Sequence, residues 1–389
     1  MIIENMILDN VKNMPPSGIR KYFDMINEME DVISLGVGEP DFVTPWNVRD
    51  AGIYSLEEGH THYSSNAGFI ELRSEISKYL KRRFNLSYCP ENEMIVTVGG
   101  SEGIDIALRA LVGPGDEVII PEPSFVAYKG CTAFTGATAK VLNLRAEDEF
   151  KLTPKMLDKA ITSKTKVVII PFPNNPTGAI MTKKELSEIV EVLKHKDIIV
   201  ISDEIYAELS YSGEHVSIAS FPEMKEKTIV INGFSKAYAM TGWRLGYVCG
   251  HPVLIDAMKK IHQYAIMCSP TVSQYAAIES LKNGHNSVKK MVKEYNRRRK
   301  VMVDGFRKIG LDCFEPLGAF YVFPSIRSTG MTSDEFCEKL LMTEKVLAVP
   351  GNAFGDCGEG FIRACYASSM DNIVEALKRI ERFVTSHKH

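Results

Sequence analysis

Four polar positions fall at or just beyond the ends of short apolar runs, and together their residue types could do chemistry. Asn175 lies in Pro-Asn-Asn-Pro-Thr-Gly (173–178), after the run 166–171. Asp203 follows 198–202, and Lys236 follows 228–231 within Asn-Gly-Phe-Ser-Lys. Gly100-Ser101-Glu102-Gly103 follows 94–98 and opens a helix. Singly, each has a plain structural role: a turn, a helix cap, a surface lysine. Their shared placement at one end of one sheet points to a site. The glycine turn has two readings. As Gly-x-Ser-x-Gly between strand and helix it fits a nucleophile elbow, with Ser101 attacking and Asp203 plus His251 or His262 as partners. As a helix N-terminus, its amides and dipole fit a phosphate. Five residues alone leave both open.

The elements that must position these groups alternate. Runs 94–98, 117–120, 138–142, 166–171, 198–202, 228–231 and 245–248 are short, β-branched and bounded by Gly, Pro, Asn or Asp, which predicts buried strands. Segments 103–111, 154–162 and 183–193 read as helices between them; Thr153 caps before Pro154, and Thr182 with Glu185 makes a capping box. The alternation predicts an α/β fold: a mostly parallel seven-stranded sheet flanked by helices, with the ligand crevice at the strands' carboxyl ends. Beyond Pro252 the pattern shifts to long helices (253–264, 286–308), then strands 319–323, 346–349 and 361–365 alternating with helices 333–342 and 370–383. We read 46–284 as a large domain, and 1–45 with 285–389 as a smaller α/β domain, the Pro- and Gly-rich stretch 36–45 marking the join.

Composition narrows the function classes. Hydrophobic residues make up 45% of the 389 and charged ones 24%, which excludes a disordered chain. Lys and Arg number 46 against 49 Asp and Glu, net charge −3, so neither a nucleic-acid footprint nor a polybasic membrane anchor is expected. Arg297-Arg298-Arg299-Lys300, within a predicted helix, reads as a solvated face. No apolar run approaches the ~18 residues of a membrane span. Segment 1–13 carries acids and no basic start, unlike a secretory signal. Eight cysteines without a C-x-x-C pair read as reduced, mostly buried residues of a cytoplasmic enzyme. His60-Thr61-His62 has no third ligand at suitable spacing, so no metal is expected. His387 and His389 close the chain, where we expect no order.

The stretch Ser-Lys-Ala-Tyr-Ala-Met-Thr-Gly-Trp-Arg-Leu-Gly-Tyr (235–247) resembles the lysine motif of the fold-type I, pyridoxal-phosphate-dependent aminotransferases of class I/II. Residues 173–178 and Ser-Asp-Glu-Ile-Tyr (202–206) are similar to that family's other hallmarks, in the same order. The likeness runs from Ser-Gly-Ile-Arg (17–20) through Gly-Glu-Pro-Asp-Phe (38–42) to Ile-Arg-Ala-Cys-Tyr (362–366). It implies an aspartate aminotransferase-like fold, pyridoxal 5'-phosphate as cofactor, and a homodimer with active sites at the interface. The implied activity moves an amino group from an L-amino acid to a 2-oxo acid such as 2-oxoglutarate.

The chemistry explains these residue types. A carbanion at Cα needs an electron sink, which a protonated pyridine ring provides. By resemblance Asp203 keeps the ring nitrogen protonated through charge pairing. Lys236 forms the Schiff base and then moves the proton as base and acid. Tyr206 and Asn175 donate to the 3′ oxygen, and Phe125 stacks on the ring where many relatives place Trp or Tyr. The amides of Ser101 and Glu102 hold the phosphate with Arg244 as charged partner, and Tyr63 reaches the phosphate of the neighbouring subunit. Arg363 grips the substrate carboxylate as a fork, a task Lys does poorly, with the Gly38 amide beside it. Substrate binding is then expected to draw the small domain closed. One departure stands out: Gly233, three residues before Lys236, occupies a place where many relatives bind phosphate with Ser.

Segment 261–280 contains neither Arg nor Lys, where dicarboxylate-dedicated relatives bring an arginine from the partner. With Ser-Gly-Ile-Arg and the general pattern, this resembles the prokaryotic branch containing aromatic and acetyl-diaminopimelate aminotransferases, so aromatic or broad specificity is expected. Fold-type I C–S β-lyases and cyclopropane-forming synthases share Lys236, Asp203 and Arg363. A ligand-sensing regulator on this fold normally carries a DNA-binding domain ahead of it, and too little chain precedes Gly36. The serine hydrolase with Ser101 is the remote alternative.

Overall fold

The computed structural model describes residues 3–14 and 29–387. The motif 17–20 and His389 lie outside the described residues. A two-residue strand β1 (Ile33–Ser34) precedes the main run: β2 (Met94–Thr97), β3 (Glu117–Glu122), β4 (Thr138–Asn143), β5 (Thr165–Ile170), β6 (Ile199–Asp203), β7 (Thr228–Gly233) and β8 (Gly246–Cys249). The last seven form one sheet in the order β2-β8-β7-β6-β5-β3-β4. Neighbours run parallel except β8, which is antiparallel to both β2 and β7. Each predicted strand appears within a residue or two of its expected bounds.

The sheet is buried because helices cover it on both sides, as near-continuous apolar strands require. Leu186, Ile189, Val190 and Leu193 on the helix Lys183–Leu193 are buried in one cluster; Ile104, Ala107 and Leu108 on Gly99–Leu111 are buried in another. The capping box at Thr182 forms with both reciprocal bonds. Thr153 accepts the Met156 amide ahead of Pro154.

Four short strands complete the C-terminal part. β9 (Tyr321–Val322), β11 (Val349–Pro350) and β12 (Ile362–Cys365) make an antiparallel sheet with β12 central. β10 (Val346–Leu347) instead pairs in parallel with β1. The single predicted strand 346–349 is therefore two, serving different sheets.

Three expectations need correcting. The helix Thr271–Asn283 was not predicted, because its buried set includes Ser273, Gln274 and Ser280 beside Ala276, Ala277, Ile278 and Leu281 and so shows no clean apolar stripe. The basic run 297–300 is not simply a solvated face. Arg298 and Arg299 are 6% and 4% exposed: Arg298 bonds Asp41 and Glu294, and Arg299 bonds Glu315 and the Pro316 carbonyl. Finally, His387 is ordered, its Nδ1 lying 2.8 Å from the Phe383 carbonyl.

Candidate active site

All the sheet-borne groups emerge at one edge. Asp203 is the last residue of β6, and Lys236 follows β7 by three residues. Asn175 follows β5, Phe125 follows β3, and the turn 99–101 follows β2. Because β8 runs antiparallel, Arg244, two residues before it, reaches the same edge. Arg363 comes from β12 opposite. Asp203, Lys236, Asn175, Phe125, Gly100, Ser101, Arg244 and Arg363 line one cavity of about 280 Å³ with Gly38, Tyr206 and Tyr321, just below the ~300–1,000 Å³ of small-molecule sites.

The glycine turn is shaped by close approach. Gly99 takes φ +74°, and a Cβ there would lie 2.9 Å from Arg244 Nη2. A Cβ on Gly246 would lie 2.6 Å from the Gly99 carbonyl carbon. No side chain caps the helix Gly99–Leu111, so its first amides stay available beside the Arg244 guanidinium. The Glu102 carboxyl is absent from the cavity wall and turns back to accept the Val98 amide at 2.5 Å.

Gly233 pairs with Gly246 across β7 and β8. A side chain at 233 would put Cβ 2.9 Å from the Gly246 Cα and 3.0 Å from the Leu245 carbonyl. Close strand packing thus accounts for glycine at 233.

Three groups that can carry charge, Asp203, Lys236 and Arg363, meet here, each with its own surroundings. Asp203 is 7% exposed; its Oδ2 accepts the Tyr128 hydroxyl at 2.6 Å and its Oδ1 the Ile205 amide at 3.2 Å. Burial pushes its carboxyl above the usual range, opposed by those two bonds and by Lys236. Lys236 Nζ donates to the Gly38 carbonyl at 2.6 Å. Burial pulls its amine down to about 8, with too little nearby negative charge to restore it. Arg363 is 3% exposed and sandwiched between the rings of Tyr321 and Phe354, 4.5 and 4.6 Å from their centroids. Its Nη1 donates to Asn175 Oδ1 at 2.9 Å and its Nη2 to the Gly36 carbonyl at 2.6 Å. Its Nε is buried with no hydrogen-bond partner among the described residues.

The Tyr206 and Tyr321 hydroxyls are hydrogen-bonded at 2.7 Å, and burial drives the Tyr206 phenol well above its usual value. Phe125 meets Tyr128 edge-on at 5.7 Å. Sequence reasoning missed Tyr128 and Tyr321. Tyr128 lies one helical turn beyond Phe125, a spacing that shares a face. Tyr321 sits in an otherwise apolar buried run, where its hydroxyl must find a partner. Tyr63 stands apart from the cavity, 77% exposed.

The hydrolase constellation does not assemble. Asp203 is engaged by Tyr128, His262 by Glu102 at 2.6 Å, and His251 lies on the surface 3.5 Å from Glu226. His60 stacks on Tyr275, and no group of three metal-ligating side chains occurs among the described residues. No helix among them is long and apolar enough to cross a membrane. Of the eight cysteines, Cys249, Cys313, Cys337 and Cys365 are buried, and Cys89 is exposed.

The family model of aminotransferase class I and II matches residues 30–380. YugH of Bacillus subtilis, provisionally named an aminotransferase, is 56% identical over 376 residues, 97% of each chain. The aspartate aminotransferase of Pyrococcus abyssi is 43% identical over 98% of each chain. The solved aromatic aminotransferase of Pyrococcus horikoshii superposes with a TM-score of 0.90 at 42% identity, over 95% of this chain and 99% of that one. The chain belongs to the class I and II aminotransferases, with the α/β architecture of fold type I. It is an aminotransferase.

Proposed function

We propose that the chain is a pyridoxal-phosphate-dependent aminotransferase acting on aromatic or a broad set of L-amino acids, with a 2-oxo acid such as 2-oxoglutarate as acceptor. The observation that carries this reading is the convergence of Lys236, Asp203 and Arg363 on one cavity from β7, β6 and β12. The residues present fit the cofactor. The uncapped helix start at Gly99, with Ser101 and Arg244, suits a phosphate. Asp203, short of water, suits a cationic ring nitrogen. Phe125 supplies an apolar face, and Tyr206 and Asn175 supply polar groups for the ring's oxygen. When bound, pyridoxal phosphate supplies the electron sink that makes the amino acid's Cα proton removable.

The chain's own groups do the rest. Arg363 offers a planar fork of donors to the substrate carboxylate, with the Tyr321 and Phe354 rings packed against its guanidinium. Gly38 lies beside it on the cavity wall. Lys236, the covalent anchor in this reading, has its amine lowered to about 8, so near neutral pH it holds a usable neutral fraction to take the Cα proton. The Tyr128 and Ile205 bonds to Asp203 favour its carboxylate form against the upward push of burial. We read 46–284 as the domain carrying the sheet, and 1–45 with 285–389 as the one that closes over it.

For the donor, the lack of Arg and Lys in 261–280 supports a site not dedicated to a second carboxylate. The relatives carry both aspartate and aromatic names. A homodimer is supported by the exposed apolar side chains of Tyr63, Ile266 and Met267, in two segments that the Asn66 Nδ2 bond to the Met267 carbonyl joins at 2.8 Å. The test is a panel of L-amino acids with 2-oxoglutarate, reading glutamate formed. Aromatic donors exceeding aspartate support the reading. Ammonia and pyruvate from a cysteine conjugate without a 2-oxo acid would replace it with the C–S β-lyase.

A further inference from the structure

Glu102 occupies the first turn of the helix whose Gly100 and Ser101 line the cavity. A carboxylate there faces two pulls. The helix start attracts negative charge, so a free Glu102 would compete for the same amides a phosphate needs and would repel the phosphate besides. Here both carboxylate oxygens are engaged elsewhere: Oε2 accepts the Val98 amide at 2.5 Å, and Oε1 lies 2.6 Å from Nδ1 of His262. His262 is fully buried near the end of the helix Pro252–Ala265, which packs along Gly99–Leu111. Its Nε2 has no partner among the described residues. A bare ring lone pair is a cheaper orphan than a buried N–H, so the hydrogen belongs on Nδ1, which donates to Glu102. The ring thus holds the carboxylate from one side while the Val98 amide holds it from the other. The same histidine continues outward: its carbonyl accepts the Ile266 and Met267 amides, and the Met267 carbonyl accepts Asn66, three residues after Tyr63.

We propose that His262 is a positioning residue for phosphate: by holding Glu102 away from the cavity it keeps the first-turn amides of Gly99–Leu111 free for the anion. This rests on the reading of that turn as the cofactor's phosphate site. It assigns a role to a buried histidine that touches neither cofactor nor substrate.

The test uses the full-length apo protein and three probes: pyridoxal 5'-phosphate, pyridoxal without the phosphate, and inorganic phosphate. Binding of the first two is followed by absorbance, and of the third by calorimetry. In His262→Ala, affinity for pyridoxal phosphate and for inorganic phosphate should each fall roughly 10-fold, as expected for losing a hydrogen bond to a charged group. Pyridoxal should change by less than about 2-fold, since it does not use the turn. His262→Asn, whose amide can replace the Nδ1 donor, should recover most of the loss and guards against a variant that merely misfolds. Equal losses for all three probes, or none, overturn the proposal. If wild-type protein binds inorganic phosphate in a His262-dependent way but not pyridoxal phosphate, the positioning role stands and the cofactor reading falls. If wild-type protein binds pyridoxal phosphate and His262→Ala binds it equally well, the reading stands and the positioning role falls.

Discussion

Arg363 Nη1 donates to Asn175 Oδ1 at 2.9 Å, joining β12 to the loop after β5 across the cavity. The bond fixes the plane of the guanidinium, and the Tyr321 and Phe354 rings on either side leave it little freedom. Lysine has neither the fork nor the flat faces to use this cradle. Arg363→Lys should raise KM for every amino acid on the order of 100-fold, as expected for losing a bidentate charged contact. Steady-state kinetics with several donors checks it; a loss confined to one donor would place the carboxylate contact elsewhere.

Lys236 carries a linkage prediction. Its folded-state value of about 8 lies below its ordinary 10.5. The charged amine is therefore a burden to the fold below pH 8, and that burden is relieved as pH rises from 8 to 10.5. Lys236→Met should stabilise the apo protein at pH 7 by up to about 3 kcal/mol, with the advantage shrinking over that window. Urea midpoints of both proteins across the pH range measure it. A difference that grows with pH contradicts the assignment.

Tyr128→Phe removes the hydroxyl donor to Asp203 Oδ2. That bond opposes the upward push of burial, so its loss moves the Asp203 carboxyl higher still. The acid limb of the pH–rate profile should shift to higher pH while the alkaline limb stays put. An unmoved acid limb means that Asp203 ionisation does not set it.

Gly38 and Tyr321 make a steric pair. A Cβ on Gly38 would collide with the Tyr321 hydroxyl. Gly38→Ala should therefore weaken amino acid binding, and Gly38→Ala combined with Tyr321→Phe should recover part of the loss. A double variant worse than the sum of its parts would show that the Tyr206–Tyr321 hydroxyl pair matters more than the space.

Gly233→Ser should harm the protein. The Cβ would meet the Gly246 backbone at 2.9 Å, and overpacking of this kind costs about 1–3 kcal/mol. A chemical denaturation curve reads this directly; unchanged stability with tighter phosphate binding would reverse the argument.

Much of this was legible in the chain because a parallel sheet buried on both faces writes itself as short apolar runs, and because its ligand-binding groups must follow those runs. Lys236, Asp203, Asn175 and Ser101 could be found that way, and the aminotransferase motifs gave them roles. What stayed hidden depends on three-dimensional pairing. Tyr128 meets Asp203 only because the helix Ala127–Phe134, which follows β3, brings its hydroxyl to the end of β6, two strands away in the sheet. Tyr321 meets Tyr206 from the opposite sheet. Arg298 and Arg299 looked like solvent-facing charge because nothing in sequence announces Asp41 and Glu315 as partners. Residues 346–349 split between two sheets, which a four-residue apolar run cannot signal.

The most direct test of the central claim is to reduce the protein with borohydride after adding pyridoxal phosphate and to map the modified peptide by mass spectrometry. The account predicts a single phosphopyridoxyl adduct on Lys236, lost in Lys236→Met. An adduct on another lysine, or none under saturating cofactor, would contradict it.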